Sequence, residues 1–191
     1  MENLQEKAAQ YVAENLKEIL SDAFARVYED GYRDGYYDRK DQEPQAVGDE
    51  VNFVDLGLPS KTLWSEDYLM EKGETVFMPY LDAEKFNIPT EEQFEELRKY
   101  CRFKYALDSN NQVDHYEFIG PSENVLKFYP TGRFEGEQSI HEVGAYAWLK
   151  GDVSHGETQA IAIDPTFPKN NRLFIGYKIA VRLVEKKYND C

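Results

Sequence analysis

The chain has 191 residues, which is enough for one domain with a buried core and an additional segment. Hydrophobic residues make up 41% and charged residues 30% of the chain, a composition typical of folded rather than disordered proteins. The net charge is −14, and no run of Lys and Arg forms a basic patch. Binding to nucleic acids or to an anionic membrane surface is therefore disfavoured, because both carry the same sign of charge.

The first 36 residues have the apolar spacing of an amphipathic helix. Apolar residues recur at steps of three and four from Leu4 to Tyr28, and no proline occurs before Pro44. Residues 1–50 contain 13 acidic and six basic side chains, so half of the net charge lies in about a quarter of the chain. A helix of about 35 residues would be roughly 50 Å long and needs a partner for its apolar stripe. That partner is its own domain, copies of itself in a coiled coil, or another protein.

The end of this arm carries tyrosines at helical spacing, next to Gly31 and Gly35. Two interpretations stay open: a docking stripe for a neighbouring subunit, or a weakened helix end whose tyrosines cover the following domain. Residues 41–45 are a polar linker, which divides the chain into an arm (1–45) and a domain (46–191). The residues predicted to dock or oligomerise are Leu16, Ile19, Ala23, Phe24, Tyr28, Tyr32 and Tyr36.

Beyond the linker the pattern changes to short strands and turns. The spacing predicts strands over residues 51–56, 126–130, 145–149, 160–163 and 177–183, and a hairpin over 103–118 that turns at 108–111. Thr90 and Gln93 form a capping-box pattern that opens one short helix, with Phe94, Leu97 and Cys101 on one face. One helix among many short strands predicts an α+β fold.

Five motifs in this region match one family in order. Residues 54–64 read VDLGLPSKTLW, and residues 88–90 read IPT, followed by Phe94 and Leu97. Residues 128–132 read FYPTG, residues 144–148 GAYAW and residues 176–182 GYKIAVR. Together they resemble the Fibrobacter major paralogous domain family, which is abundant in Bacteroidetes and their phages. The match covers about residues 51–185, and the eleven-residue opening motif is its most specific part.

The resemblance implies a C-type-lectin-like fold, which formylglycine-generating enzymes and phage receptor-binding proteins share. Two departures from the family pattern affect the surface that commonly varies in this fold. Between Trp64 and Ile88 the family's Y-x-A-W-G-E stretch is missing, and after Trp148 Leu149 and Lys150 replace its Ser-Ser pair. No ligand specificity is therefore transferred, and the arm lies outside the resemblance.

The residues that related enzymes need are not arranged in this sequence. Cys101 falls in the predicted helix and Cys191 is the last residue, so they are poor candidates for a reactive pair and suit a reducing compartment. His115, His141 and His155 lack metal-ligand spacing and are interpreted as solvated side chains in turns. Residues 108–114 begin like a calcium loop but lack its glycine and bidentate glutamate. We therefore expect no enzymatic activity, no cofactor and no metal.

Binding or assembly is the remaining function class. Since the N-terminus shows no signal peptide and no stretch is long and apolar enough to span a bilayer, we expect synthesis in the cytoplasm. The leading hypothesis is an oligomeric phage virion component, such as a capsid or tail decoration, fibre or adhesin, with a surface glycan or protein as ligand. The alternative is an intracellular bacterial adaptor with the same fold, and a divergent enzyme is a third class. Candidate ligand-binding residues are Tyr146, Trp148, Lys150 and His155, with Trp148 also a candidate for the core.

Overall fold

The computed structural model describes Lys7 and residues 50–140 and 143–187. The chain divides into two compact units, one of Met1–Glu43 with Val153–Gly156 and one of Pro44–Asp152 with Glu157–Cys191. The elements below belong to the second unit. All seven predicted docking residues, from Leu16 to Tyr36, lie outside the described residues. No helix in the described ranges is long and apolar enough to cross a membrane.

The described residues of the second unit form many short strands and two helices. In chain order the described residues form β1 (Phe53–Asp55), β2 (Thr62–Ser65), β3 (Met70–Glu71), β4 (Glu74–Thr75), β5 (Phe77–Met78), α1 (Tyr80–Ala83), α2 (Glu91–Tyr100), β6 (Arg102–Leu107), β7 (Val113–Ile119), β8 (Val125–Phe128), β9 (Arg133–Glu135), β10 (Gln138–Ile140), β11 (Ala145–Trp148), β12 (Glu157–Ile163), β13 (Pro168–Phe174), β14 (Ile179–Ala180) and β15 (Val184–Lys186). The predicted α+β class is confirmed.

Three sheets of three or more strands organise the described part of this unit. A five-stranded sheet has the order β13-β12-β11-β14-β5 and is antiparallel except for the parallel pair β11-β14. A second sheet has the order β1-β2-β15, so the first and last strands flank the same strand. The third sheet is the antiparallel β6-β7-β8. Two further two-stranded ribbons pair β3 with β4 and β9 with β10.

The core lies on both faces of the five-stranded sheet, because its strands alternate apolar side chains between two sides. Ala145, Ala147 and Leu149 pack with Trp64, the apolar face of α2 and the inner face of the β6-β7-β8 sheet. On the opposite side, Trp148 packs with residues of α1 and of the segments around it. This explains why residues 145–149 read as a continuous apolar run rather than an alternating pattern.

The helix and hairpin predictions are confirmed. Thr90 accepts a hydrogen bond from the Gln93 backbone N–H, and the Gln93 side chain accepts one from the Thr90 N–H, so the capping box is complete. The turn between β6 and β7 is closed by Asp108, whose carboxylate accepts N–H bonds from Asn110 and Gln112. Asn111 takes the left-handed conformation there, with φ of 62°.

The last predicted strand is shorter than expected. Residues 177–183 contain only β14, because the chain leaves the five-stranded sheet after Ala180 and joins β2 through β15 from Val184 onward. The bend between the two sheets is fixed by Ser65, whose backbone N–H donates to the Leu183 carbonyl. The side-chain hydroxyl of Ser65 accepts from the Leu183 N–H.

Candidate functional site

The four predicted ligand-binding residues do not form one exposed set. Trp148 is completely buried, its indole Nε1 donates to the Met78 carbonyl at 2.9 Å, and its ring packs edge-on against Tyr80. A side chain without exposed surface cannot contact a ligand, so Trp148 belongs to the core, and its prediction as a ligand residue is corrected. Tyr146 is half-buried on the same face of β11, with its ring over Gly144.

The other two predicted residues lie in loops after β11. Lys150 is exposed, and its backbone N–H donates to the Pro89 carbonyl at 2.8 Å. His155 is exposed in a left-handed conformation with φ of 54°, and its Nδ1 lies 3.0 Å from the Ser154 hydroxyl.

A more ordered cluster of polar groups lies on the β6-β7-β8 sheet. His115 on β7 is 9% exposed, and its two ring nitrogens both face carboxylates. Nδ1 lies 2.5 Å from Asp114 Oδ2 and Nε2 lies 2.8 Å from Glu117 Oε1. The second oxygen of Glu117 is 2.8 Å from Lys104 Nζ on β6. A protonated imidazole can donate to both carboxylates at once, whereas a neutral one can donate to only one.

The ion pair with Lys104 has an electrostatic consequence for Glu117. Hydrogen bonds from Lys104 and then from His115 lower the pKa of the Glu117 carboxyl below its ordinary value. The carboxylate is therefore a fixed negative charge between two donors. The interpretation of His115 as a solvated turn residue is wrong, because it lies within a strand and is mostly buried.

The cluster belongs to the side of the β6-β7-β8 sheet that faces away from the core, which we call the outer sheet face. Side chains on one side of adjacent strands face the same way, so the strand register determines its members. Cross-strand rows are formed by Arg102, Ile119 and Val125, and by Lys104, Glu117 and Lys127. Ala106 pairs with His115, whose ring lies 5.8 Å from the Tyr129 ring just beyond β8. Tyr129 is 37% exposed, which places an accessible aromatic ring beside the charged cluster.

The outer sheet face is held from inside by Arg182. This guanidinium is fully buried, and its two Nη atoms donate to the carbonyls of Ser65, Glu66 and Lys127 at 2.6 to 2.9 Å. Its Cζ atom lies over the rings of Tyr68 and Phe128, 4.4 Å from each centroid, and these two rings meet edge to face. These contacts fix the strand from which Lys127 projects.

Tyr68 continues this support to the exposed tyrosine. Its hydroxyl donates to the Tyr129 carbonyl at 3.0 Å, and burial raises the pKa of Tyr68 to about 12. The hydroxyl therefore stays a hydrogen-bond donor at any physiological pH. The backbone of Tyr129 is anchored in the core while its ring lies at the surface.

The cysteine thiol and the metal-ligating side chains, which proteins usually use for nucleophilic or metal chemistry, lie in other surroundings than the His115 cluster. Cys101 is half-buried at the end of α2, and burial raises the pKa of its thiol to about 11, so little thiolate forms near neutral pH. Within the described ranges no group of three His, Cys, Asp or Glu side chains could hold a metal ion. His115 uses its two nitrogens toward different carboxylates rather than converging with them on one point.

Sequence reasoning missed the outer sheet face, although one signal for it was present. His115 and Glu117 are two residues apart in a predicted hairpin strand, so their side chains must share a face. The partners across the sheet were not recognisable, because the register of β6 against β7 includes a bulge at Ala106 and Leu107. In the comparisons with known proteins, no family model, no curated protein and no solved structure matches this chain.

Proposed function

We propose that the chain is a non-catalytic interaction subunit of a larger assembly, built on a C-type-lectin-like domain over residues 46–191. In this proposal it is a phage virion component that binds a surface glycan through the outer sheet face. The support from sequence is the ordered set of five motifs that resemble the Fibrobacter major paralogous domain family. The support from structure is the arrangement of the domain ends and of the outer sheet face.

The lectin-like part of the proposal is supported by the place of the opening motif in the fold. β1 and β15 pair with β2 from opposite sides, so β2 lies between the first and last strands of the described domain. The opening motif runs from β1 into β2, with Leu56, Leu58 and Trp64 buried in the larger core cluster. The motif that carries the resemblance is therefore a structural motif, which explains its length without a ligand role.

The single observation that carries the binding role is the exposed Tyr129 ring beside the His115 cluster. A tyrosine offers a broad apolar face with a polar tip, a combination that is enriched in binding surfaces. The neighbouring side chains of His115, Glu117 and Lys104 are hydrogen-bonded to one another, so their positions are already fixed before a ligand binds. A rigid polar surface with one aromatic ring suits a sugar, which presents an apolar ring face and several hydroxyls.

The experiment compares Tyr129→Ala with Tyr100→Ala on an array of immobilised bacterial surface polysaccharides. Tyr100 is similarly exposed, at 43%, but ends helix α2 and lies outside the outer sheet face, so it is the matched control. We expect wild type and Tyr100→Ala to bind the same polysaccharides. Tyr129→Ala should weaken binding by at least about tenfold, which corresponds to about 1.4 kcal/mol. Equal binding by all three proteins would exclude this face as the site.

The virion part of the proposal has its own test. Particles purified from a host strain that carries the gene should contain peptides of this chain at a fixed ratio to the major capsid protein, measured by quantitative mass spectrometry. Detection only in the soluble cell fraction would contradict a virion role and would favour the intracellular adaptor.

A further inference from the structure

The edge strand β6 of the three-stranded sheet has an exposed side. Among the described residues β6 has one strand neighbour, β7, and lies at the end of the order β6-β7-β8. In an antiparallel pair the backbone N–H and C=O groups of alternate residues point away from the partner strand. One side of β6 therefore presents a row of hydrogen-bonding groups to which another strand can pair.

Two large hydrophobic side chains of β6 are exposed. Tyr105 is 45% exposed and Leu107 is 48% exposed, and both lie on the face of the strand opposite to Arg102 and Lys104. Natural proteins usually protect an edge with charges and bulges. β6 has both, since Lys104 is exposed and the bulge lies at Ala106 and Leu107. A strand that pairs with β6 must therefore be compatible with these charges.

We propose that β6 pairs antiparallel with β6 of a second copy of this chain, around a two-fold axis that passes midway between the Tyr105 residues of the two copies. A two-fold axis perpendicular to a continuous antiparallel sheet passes midway between two equivalent residues, so residue 105 lies opposite residue 105 of the second copy. Lys104 then lies opposite Ala106 of that copy, and Phe103 lies opposite Leu107. At both ends of the pair, Arg102 lies opposite Asp108. The two three-stranded sheets join into one six-stranded sheet.

The charge pattern selects this register over its neighbours. An axis midway between the two Phe103 residues would place Arg102 opposite Lys104, and an axis midway between the two Lys104 residues would place these lysines opposite each other. Like charges directly opposite are destabilising. An axis midway between the two Ala106 residues avoids the repulsion but pairs fewer residues of the strand. With the axis at Tyr105, Lys104 faces the small residue Ala106, and Arg102 faces Asp108 in the turn that follows β6. This register therefore places no like charges opposite each other.

This inference rests on the proposed function in one respect, because it names a contact between two copies of the proposed assembly subunit. The pairing requires neither a glycan nor the arm. Tyr129 and the outer sheet face remain accessible in the six-stranded sheet, because the new strand pair adds at the edge. A failure of glycan binding and a failure of strand pairing are therefore measured separately.

The test is cysteine cross-linking in the full chain with Cys191→Ser. Cys101 is retained, since the raised pKa of its thiol makes it a poor partner in oxidation. Residues directly opposite in an antiparallel pair have Cα atoms about 4.5–5.5 Å apart, within the range that a disulfide spans. Tyr105→Cys should therefore give a covalent dimer under mild oxidation, seen on a denaturing gel and reversed by a thiol reductant.

Lys104→Cys is the matched control. Its counterpart in the second copy is displaced by two residues along the strand, which places the two Cα atoms about 8 Å apart and beyond disulfide reach. Lys104→Cys alone should stay monomeric on the gel, whereas the double variant Lys104→Cys/Ala106→Cys should form the dimer.

Two results would overturn the proposal. One is an absence of covalent dimer from both Tyr105→Cys and the double variant, with folding of each checked by circular dichroism. The other is equal cross-linking of Lys104→Cys and Tyr105→Cys, which would indicate random collision. Residue pairs in antiparallel strands alternate between hydrogen-bonded and non-hydrogen-bonded pairs, and the double variant probes the kind that Tyr105→Cys does not. A disulfide geometry that is unfavourable in one kind of pair therefore cannot decide the outcome.

Discussion

Gly120 lies directly against the backbone of Leu56. A Cβ atom added at position 120 would be 2.2 Å from the Leu56 carbonyl oxygen and 2.7 Å from the Leu56 Cβ. The same carbonyl accepts the Ser122 N–H at 3.1 Å, and the Asp55 carbonyl accepts side-chain bonds from Ser122 and Asn124. The loop of the opening motif is thus joined to the turn between β7 and β8, backbone against backbone.

We expect Gly120→Ala to destabilise the protein strongly, because a backbone carbonyl cannot move aside as a flexible side chain can. The free energy of unfolding should fall by about 3 kcal/mol or more, the upper range for overpacking. Urea unfolding followed by tryptophan fluorescence measures this loss. Gly151→Ala is the control, since its Cβ would meet only the Thr158 hydroxyl at 4.0 Å, and it should be close to neutral. Similar stability of the two variants would show that the loop can shift.

Arg182 gives a second prediction about stability. Substitution by alanine leaves the carbonyls of Ser65, Glu66 and Lys127 without the guanidinium donors that they have now. We expect a loss of about 3 kcal/mol or more, because each buried carbonyl that is left without a donor costs about 1–3 kcal/mol. Arg182→Lys should also be destabilising, because an ammonium cannot reproduce the contacts of the planar guanidinium with the Tyr68 and Phe128 rings.

The control for Arg182 is an arginine at the surface. Arg172 on β13 has 43% of its side chain exposed, and Arg172→Lys should change the free energy of unfolding by no more than about 0.5 kcal/mol. Thermal unfolding of Arg182→Ala, Arg182→Lys and Arg172→Lys separates the two positions. If Arg182→Lys is as stable as wild type, the planar geometry does not matter.

The sequence could predict elements with strong local signals. The capping box at Thr90 and the hairpin turn at Asp108 were recognisable because their hydrogen bonds join residues at most four positions apart. The run at residues 145–149 was recognisable as a strand because its residues are uniformly apolar. β13 was missed, since its sequence PKNNRLF contains polar residues that alternate only weakly with apolar ones.

The outer sheet face and the buried arginine could not be predicted, because their contacts join residues far apart in the chain. Arg182 bonds to Ser65 and Lys127, which are 117 and 55 positions away. An arginine in a strand motif usually indicates an exposed charge, and only the fold shows that aromatic rings and carbonyls surround it. For the same reason Trp148 was a candidate for both surface and core until its position in the sheet was known.

The capping box provides a smaller, graded prediction. Thr90→Ala removes the hydroxyl that accepts the Gln93 N–H, and we expect a loss of about 1 kcal/mol in the free energy of unfolding. Thr90→Ser keeps the acceptor oxygen and should recover most of this loss. Equilibrium urea unfolding of the two variants resolves the difference. Equal loss in both would assign the effect to the threonine methyl group instead of the cap.

Acid should weaken the loop after β12 through Asp164. Its carboxylate accepts N–H bonds from Thr166 at 2.8 Å and Phe167 at 3.2 Å, accepts the Thr166 hydroxyl, and lies 3.4 Å from Lys169 Nζ. The hydroxyl contact is the largest cause that lowers the pKa of Asp164 from 3.8 to about 2. A depressed folded-state pKa adds stability that is fully present above pH 3.8 and is lost as the pH falls toward 2.

In the variant Asp164→Asn this pH-dependent contribution is missing. Between pH 4 and 2 we therefore expect the urea midpoint of wild type to fall more steeply than that of the variant, while above pH 5 the two curves run parallel. Carbon-detected NMR of the Asp164 side chain gives a direct check, with a midpoint expected at about 2. A carboxyl that titrates near 3.8 would mean that the loop bonds do not persist in solution, and the steeper acid dependence should then be absent as well.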